Sequence, residues 1–141
     1  MWRSGCSVPA TRIRWRVAPD VFDDPLDARG TREFLSDPRH HIAVAIDAGF
    51  VVGFATAVHY VHPDKPAPEL WVNEVGVAPS HQRRGIGKAL LGALFARARE
   101  LGCREAWVLT SRDNEAATAF YAATGGSADD GPTAMYSFPL D

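Results

Sequence analysis

The sequence predicts a single α/β domain on a mixed sheet that is antiparallel at its start. Three observations predict it. Two apolar runs, His41 to Ile46 and Phe50 to Tyr60, are joined by Asp47-Ala48-Gly49, a hairpin signal that makes them antiparallel neighbours. A third apolar-rich strand, Glu69 to Val77, leads into a helix with one apolar face and then into another strand, Glu105 to Thr110. A helical crossover of that kind joins parallel strands. Finally, 141 residues with 46% hydrophobic and 23% charged side chains suffice for one core and are ordinary for a globular chain.

The elements follow in order. Residues 1–10 read as a loose tail and 11–141 as the domain. Arg3, Arg12, Arg14 and Arg16 without an intervening acid faintly resemble a transit peptide. The alternation from Thr11 to Val17 fits an edge strand with a solvated arginine face better. Pro19 and Asp20 are helix-start residues, and Pro25 ends that helix early. A second short helix spans Gly30 to Ser36, turning Phe34 and Leu35 inward before Pro38. In the returning strand, Gly53 suits a bulge or a close backbone approach. A proline-rich link, His62 to Pro68, precedes Glu69. On the long helix, Leu90, Leu91, Leu94, Phe95, Ala98 and Leu101 share one face opposite Lys88, Arg99 and Glu100, as on a helix laid on a sheet. Gly102 ends it. Glu105 to Thr110 reads as a buried strand, Ser111 to Asn114 as a cap, and Glu115 to Ala123 as a helix stopped by Gly125-Gly126. Ser127 to Pro132 is a polar loop, and Thr133 to Phe138 a last strand.

Chemistry is concentrated between the third strand and the long helix. Gly85 and Gly87 let a ligand approach the backbone. The first amides of a helix lack intrahelical partners, and the helix dipole favours an anion in front of them. Arg83, Arg84 and Lys88 add positive charge there, so the segment suits a phosphate, most simply a pyrophosphate. A plain glycine turn with solvated arginines is the competing reading. Two phosphate loops do not fit. A Walker loop needs Ser or Thr after Gly-Lys, where Ala89 stands, and a glycine where Gln82 stands. A dinucleotide fingerprint needs a third glycine where Leu90 stands.

Gln82-Arg83-Arg84-Gly85-Ile86-Gly87 after a strand ending in valine does resemble the acetyl-CoA loop of the GNAT superfamily of N-acetyltransferases. Asn114-Glu115-Ala116-Ala117-Thr118-Ala119-Phe120-Tyr121 resembles the family's second cofactor segment, in the right order and at a typical separation. The small aminoglycoside 3-N-acetyltransferases are the nearest in appearance. The resemblance implies a GNAT-like domain with helices on both faces of the sheet and a parallel pair of strands splayed at the cofactor site. It implies acetyl-CoA as co-substrate. Its pantetheine pairs with the backbone of Val75 and Val77, and its pyrophosphate lies on the loop formed by Gln82, Arg83, Arg84, Gly85, Ile86, Gly87 and Lys88. It also implies direct attack of an amine on the thioester, without a covalent enzyme intermediate.

That reaction sets what the residues must do. An ammonium group has no lone pair, so something must accept its proton, directly or through water. Glu74 lies on the third strand where the gap should open, and the 3-N-acetyltransferases carry an acid at the matching position. An ordinary strand residue facing solvent is the alternative. Tyr121 is the family's usual donor to the leaving thiolate; a place in the helix core, sharing a face with Ala117, is its other reading. Asn114 would hold the cofactor and is equally well placed as a helix cap. Asp23, Asp24 and Asp27 read most simply as a solvated helix face. With Glu69 and Glu74 they would also suit a polycationic acceptor, an aminoglycoside among them. Two features depart from the family pattern: Gly126 replaces a common aromatic, and the acceptor-side segment from Val21 to Ser36 is short.

Other classes are disfavoured. A net charge of −2 makes no bulk electrostatic case for nucleic acid or an anionic membrane. No apolar run approaches the ~20 residues that span a bilayer, and a cytoplasmic enzyme is expected. His59 and His62, three apart on an extended segment, point to opposite sides, so no metal is expected. Cys6 and Cys103 give no disulfide framework. Acetylation of a protein lysine or N-terminus, and a non-catalytic acetyl-CoA sensor, remain as alternatives, and a homodimer stays open.

Overall fold

The computed structural model describes residues 3–5, 15–129, 131 and 135–140. Two compact units, Met1–Leu109 and Thr110–Asp141, are described separately below.

The first unit is a five-stranded sheet in the order β1-β2-β3-β4-β5. Strands β1 (Arg3–Gly5), β2 (His40–Asp47), β3 (Phe50–Tyr60) and β4 (Glu69–Val77) are successively antiparallel, and β5 (Glu105–Val108) runs parallel to β4. The mixed sheet expected from the sequence is therefore present. Ala48 and Gly49, both with positive φ, close the β2–β3 hairpin, with Asp47 opposite Phe50. A bulge leaves Val52 as the extra residue of β3 beside Gly53. A Cβ on Gly53 would lie 3.1 Å from Ile86 and 3.3 Å from Leu90, so the glycine lets the long helix settle closely.

That helix is α2 (Ile86–Glu100). Its apolar stripe buries Ile86, Leu90, Leu91, Leu94 and Ala98, while Phe95 and Leu101 are half-buried. Leu90, Leu91 and Leu94 form the centre of the core with Leu70 of β4. Burying a leucine contributes about 1.5–3 kcal/mol, so this seam holds the helix on the sheet. Gly102 follows at φ +84°, and its N–H caps the carbonyl of Arg99. Cys103 is a buried free thiol.

Several expectations are corrected. The tail was expected to be loose, yet Arg3–Gly5 pairs with Val44 to Ile46. Backbone pairing on an open sheet edge needs no side-chain pattern. The strand expected over Thr11 to Val17 lies outside the described residues as far as Arg14; beyond it, only Val17 bridges to Val51. The helix expected after Pro19 is a run of turns and bends in which Asp20 takes φ +59°. The second short helix exists as α1 (Ala28–Ser36) but buries no residue; Phe34 and Leu35 are half-buried. Strand β5 was expected to be buried, but Glu105 and Ala106 are exposed, with no described neighbour on the outer side of β5.

His41 is buried, its Nε2 sharing a 2.7 Å hydrogen bond with Nδ1 of His59. Burial, with the charges of His59, Arg97 and His40, pushes its pKa down to about 4. The unfolded chain protonates this imidazole near pH 6.5 and the folded one only near 4. Stability from this group is therefore whole above pH 6.5 and is lost as pH falls from there towards 4. Denaturant midpoints measured at several pH values are expected to fall through that window, and His41→Phe to flatten the profile. An unchanged profile in the variant would assign the acid sensitivity elsewhere.

The second unit carries α3 (Glu115–Ala123). Asn114 caps it, its side-chain oxygen accepting from the Ala117 N–H at 3.1 Å. Gly125, at φ +96°, ends the helix, and the Gly126 N–H donates to the Tyr121 carbonyl. A Cβ on Gly126 would stand 3.0 Å from that oxygen, so a side chain there would crowd the end of the helix. Arg112 closes the unit's loop by donating to the carbonyls of Asp129 and Gly131. The last strand was expected over Thr133 to Phe138. Thr133 and Ala134 lie outside the described residues, and Met135 to Leu140 form no strand and expose Met135, Tyr136, Phe138 and Leu140.

Candidate active site

Strand β4 builds the site because its two halves differ. From Glu69 to Val72 it pairs with β5, ending at Val72 opposite Val108. Directly beyond, a bulge makes Asn73 the extra residue, since Thr56 faces Glu74 while Ala57 faces Val72. From Asn73 to Val77, β4 keeps β3 as its neighbour and has none on the β5 side among the described residues. The backbone of Val75 and Val77 therefore lies on an open edge. Val77 spends part of this capacity on Gln82, whose side-chain amide donates to its carbonyl at 3.1 Å.

Past Val77 the chain makes a 3-10 turn, Pro79–His81, and reaches the glycine loop. His81 shares hydrogen bonds with Asp47 (2.9 Å) and Ser80 (2.8 Å), tying the loop's entrance to the β2–β3 hairpin. Chiefly through the His81 hydrogen bond, the Asp47 carboxyl is held below its usual range. Asp47, Ser80 and His81 were not singled out in the sequence, because 34 residues separate the acid from the imidazole. Arg83 (φ +60°) and Gly85 (φ +76°) both take the left-handed region, so the chain turns tightly into α2.

The head of α2 suits an anion. Gly85 is its N-cap and offers no side-chain hydrogen bond, and the first turn holds no acid. The first helical bond runs from the Ala89 N–H to the Gly85 carbonyl, so the amides of Ile86, Gly87 and Lys88 precede it. A Cβ on Gly85 would meet nothing within 4 Å, leaving the space before the helix open. Arg83, Arg84 and Lys88 are exposed, without an ion pair among the described residues. This donor set fits the pyrophosphate of a CoA-type molecule: backbone amides, helix dipole and three flanking cations.

Strand β4 also borders a cavity of about 390 Å³, lined by Val21, Phe22, Asp23, Asp24, Phe54, Glu74, Val75 and Gly76. Phe22 stacks on Phe54 with ring centroids 3.9 Å apart, forming its apolar wall. The structure thus brings Glu74, Asp23 and Asp24 to one cavity, with no lysine, arginine or histidine in the lining among the described residues. None of the three carboxylates has a hydrogen-bond or ion-pair partner among the described residues. The sequence reading missed Phe22, Phe54 and Gly76, because their meeting depends on a loop without periodicity.

Other expected residues go elsewhere. Asp27 caps α1, its carboxylate accepting from the Gly30 N–H at 2.6 Å, and it does not line the cavity. Glu69 is held by Lys65 (2.8 Å), the Tyr60 hydroxyl (2.9 Å) and His62 (3.3 Å). These bonds, Lys65 first, bring its pKa down to about 2. It is a structural carboxylate; the Trp107 indole N–H donates to the same Tyr60 hydroxyl. His59 and His62 make contacts with different partners, and no group of three potential metal ligands occurs among the described residues. Asn114 and Tyr121 stand on α3 of the second unit, where burial raises the Tyr121 phenol above its usual pKa.

Comparison with known proteins agrees with this geometry. The family model described as "Acetyltransferase (GNAT) family" matches residues 8–125. An aminoglycoside N(6′)-acetyltransferase type 1 of Salmonella typhimurium is 30% identical over 118 residues, 80% of this chain and 79% of that protein. The N-alpha-acetyltransferase RimI of Mycobacterium tuberculosis is 34% identical over 107 residues, 74% of this chain and 63% of that protein. Among solved structures, an aminoglycoside acetyltransferase from an uncultured soil metagenomic sample, in complex with sisomicin, superposes with a TM-score of 0.74 at 24% identity. It covers 84% of this chain and 78% of that one. The aminoglycoside N-acetyltransferase AAC(6′)-Iy in complex with CoA gives 0.69 at 25% identity, covering 79% of this chain and 75% of that one. These aminoglycoside relatives named by position are N(6′)-acetyltransferases, so the expected likeness to the 3-N class is replaced by the wider family. No helix among the described residues is long and apolar enough to cross a membrane. The chain belongs to the GNAT family of acetyltransferases, and it is an N-acetyltransferase.

Proposed function

We propose that this enzyme transfers an acetyl group from acetyl-CoA to a primary amine of a small polycationic molecule, with aminoglycosides as the leading acceptor class. One observation carries the reading: Glu74, Asp23 and Asp24 line one cavity beside the open edge of β4, with no cation in that lining among the described residues. Such a cavity attracts a molecule with more than one ammonium group. The CoA-bound and sisomicin-bound relatives support the choice of co-substrate and acceptor.

In this reading the backbone of Val75 and Val77, which has no strand partner on the β5 side among the described residues, aligns the pantetheine arm, and Arg83, Arg84, Lys88 and the amides of 86–88 hold the pyrophosphate. Gln82 keeps the loop against the end of β4. Glu74 accepts the proton of the acceptor ammonium, directly or through one water, which frees the nitrogen lone pair. That nitrogen attacks the thioester carbonyl carbon; the C–N bond forms, the C–S bond breaks, and CoA leaves as thiolate. Tyr121 is the residue that the family resemblance assigns as proton donor to that thiolate. Asp23 and Asp24 attract the acceptor's remaining positive charges.

Release of free CoA, measured against a panel of aminoglycosides, simple diamines and a peptide with a free N-terminus, tests the reading. Turnover with the polycations is expected. Turnover with the peptide alone would transfer the activity to protein N-termini, a reading that the identity to RimI favours. A further expectation concerns salt. Exposed charges are screened over ~10 Å at 0.1 M ionic strength. The acceptor KM should therefore rise steeply between low and high salt while kcat hardly changes. A salt-independent KM would remove Asp23 and Asp24 from the acceptor site and leave them as a solvated surface.

A further inference from the structure

We infer that Gly76 is a positioning residue: its missing side chain seats the Val21–Asp24 wall against β4 and so sets the acceptor cavity. This rests on the acceptor reading above. A Cβ at Gly76 would stand 2.5 Å from the Val21 carbonyl oxygen and 2.6 Å from Cε1 of Phe54. Real Cβ atoms do not come so close to such neighbours. Neither obstacle is a flexible chain end: one is backbone, and the other is a ring that is 4% exposed and stacked on Phe22.

The wall has little else to hold it. Among the described residues no backbone hydrogen bond ties residues 19–26 to the sheet. Its placement comes from burial of Val21, 4% exposed, and from the Phe22–Phe54 stack. Both anchors converge on Gly76, which lies opposite Phe54 in the β3–β4 register. Two residues earlier on β4 is Glu74, and the two residues after Phe22 are Asp23 and Asp24. Residues two apart on a strand share a face. The separation between the carboxylate that would take the proton and those that would hold the acceptor's other charges thus passes through the contact at Gly76. A side chain there pushes the wall off the strand. The anion-binding loop, carried on α2, has no part in that contact.

Gly76→Ala is the test. Steady-state kinetics with a diamine acceptor should show kcat/KM reduced by roughly 10- to 100-fold, the scale of an ångström-sized misplacement. The preference for dicationic over monocationic amines should shrink, while the dissociation constant for CoA stays within about twofold. NMR should show the ring-proton signals of Phe22 and Phe54 shifted, because the stack is broken, with the amide signals of 82–88 in place. That readout needs no acceptor. If the wild-type enzyme turns over no amine, the function proposed above fails while the ring signals still decide this inference. Unmoved ring signals, or equal displacement of the 82–88 amides, would overturn it. Should Gly76→Ala not fold, Phe22→Ala removes the stack without crowding, and unchanged acceptor kinetics in that variant would overturn the inference equally.

Discussion

Glu74→Gln is expected to lower kcat by roughly 10²–10⁴-fold at neutral pH, the usual contribution of a placed general base. The amide is nearly isosteric, so the cavity keeps its shape, but glutamine cannot take a proton. CoA affinity should be nearly unchanged, because the loop from Gln82 to Lys88 lies beyond the other end of this strand segment. Activity should recover in part at high pH, where free amine is present without help. The alternative is that Glu74 only attracts a cation, like Asp23 and Asp24 in the same cavity. The loss would then appear mainly in KM. A pH-rate profile with saturating acceptor separates the two, and a wild-type kcat in the variant rules out the base.

Gly85→Val should weaken CoA binding by roughly 10²–10⁴-fold, since two hydrogen bonds to a charged group contribute about 1.5–3 kcal/mol each. The physical cause is occupancy. Gly85 looks onto open space, and a branched side chain there would fill the volume assigned above to the pyrophosphate. The substitution also carries strain, because φ is +76°, a region that costs an L residue roughly 1–2 kcal/mol. Gly85→Ala separates the effects: it brings most of the strain and little of the bulk. Thermal unfolding should fall similarly in both variants, while calorimetry with CoA should show the large loss only in the valine variant. Unchanged CoA affinity in Gly85→Val would remove the loop from the binding site.

How much of this was legible beforehand depends on the range over which each signal acts. The long strands and α2 were readable because the pattern is local and repeated. Leu90, Leu91, Leu94 and Ala98 recur at helical spacing, and the burial of those four follows it. The hairpin was readable because Asp47-Ala48-Gly49 already holds the residues a tight turn needs. The regions that went wrong lack such patterns or answer to distant partners. After Pro19 the propensity for a helix start was outweighed by burial of Val21 and stacking of Phe22 on a ring 32 residues away. Arg3–Gly5 was assigned to a tail because pairing with β2 uses backbone groups that every residue carries.

The candidate site divides along the same line. The proposed anion-binding end was legible in the residues alone: a glycine-containing turn, three cations and a helix start all lie within seven residues, Gln82 to Lys88. Chain connectivity alone delivers that geometry. The proposed acceptor end came from long-range packing. That packing put a bulge at Asn73, ended the β4–β5 pairing at Val72, brought Asp23 and Asp24 to the cavity of Glu74, and assigned Asp27 to a helix cap and Glu69 to Lys65, Tyr60 and His62. An aspartate's charge is the same in a cap, in a structural ion pair or in a binding cavity. Which of these it occupies is set by long-range packing, here by whether a strand residue such as Gly76 leaves room for a loop some fifty positions earlier in the chain.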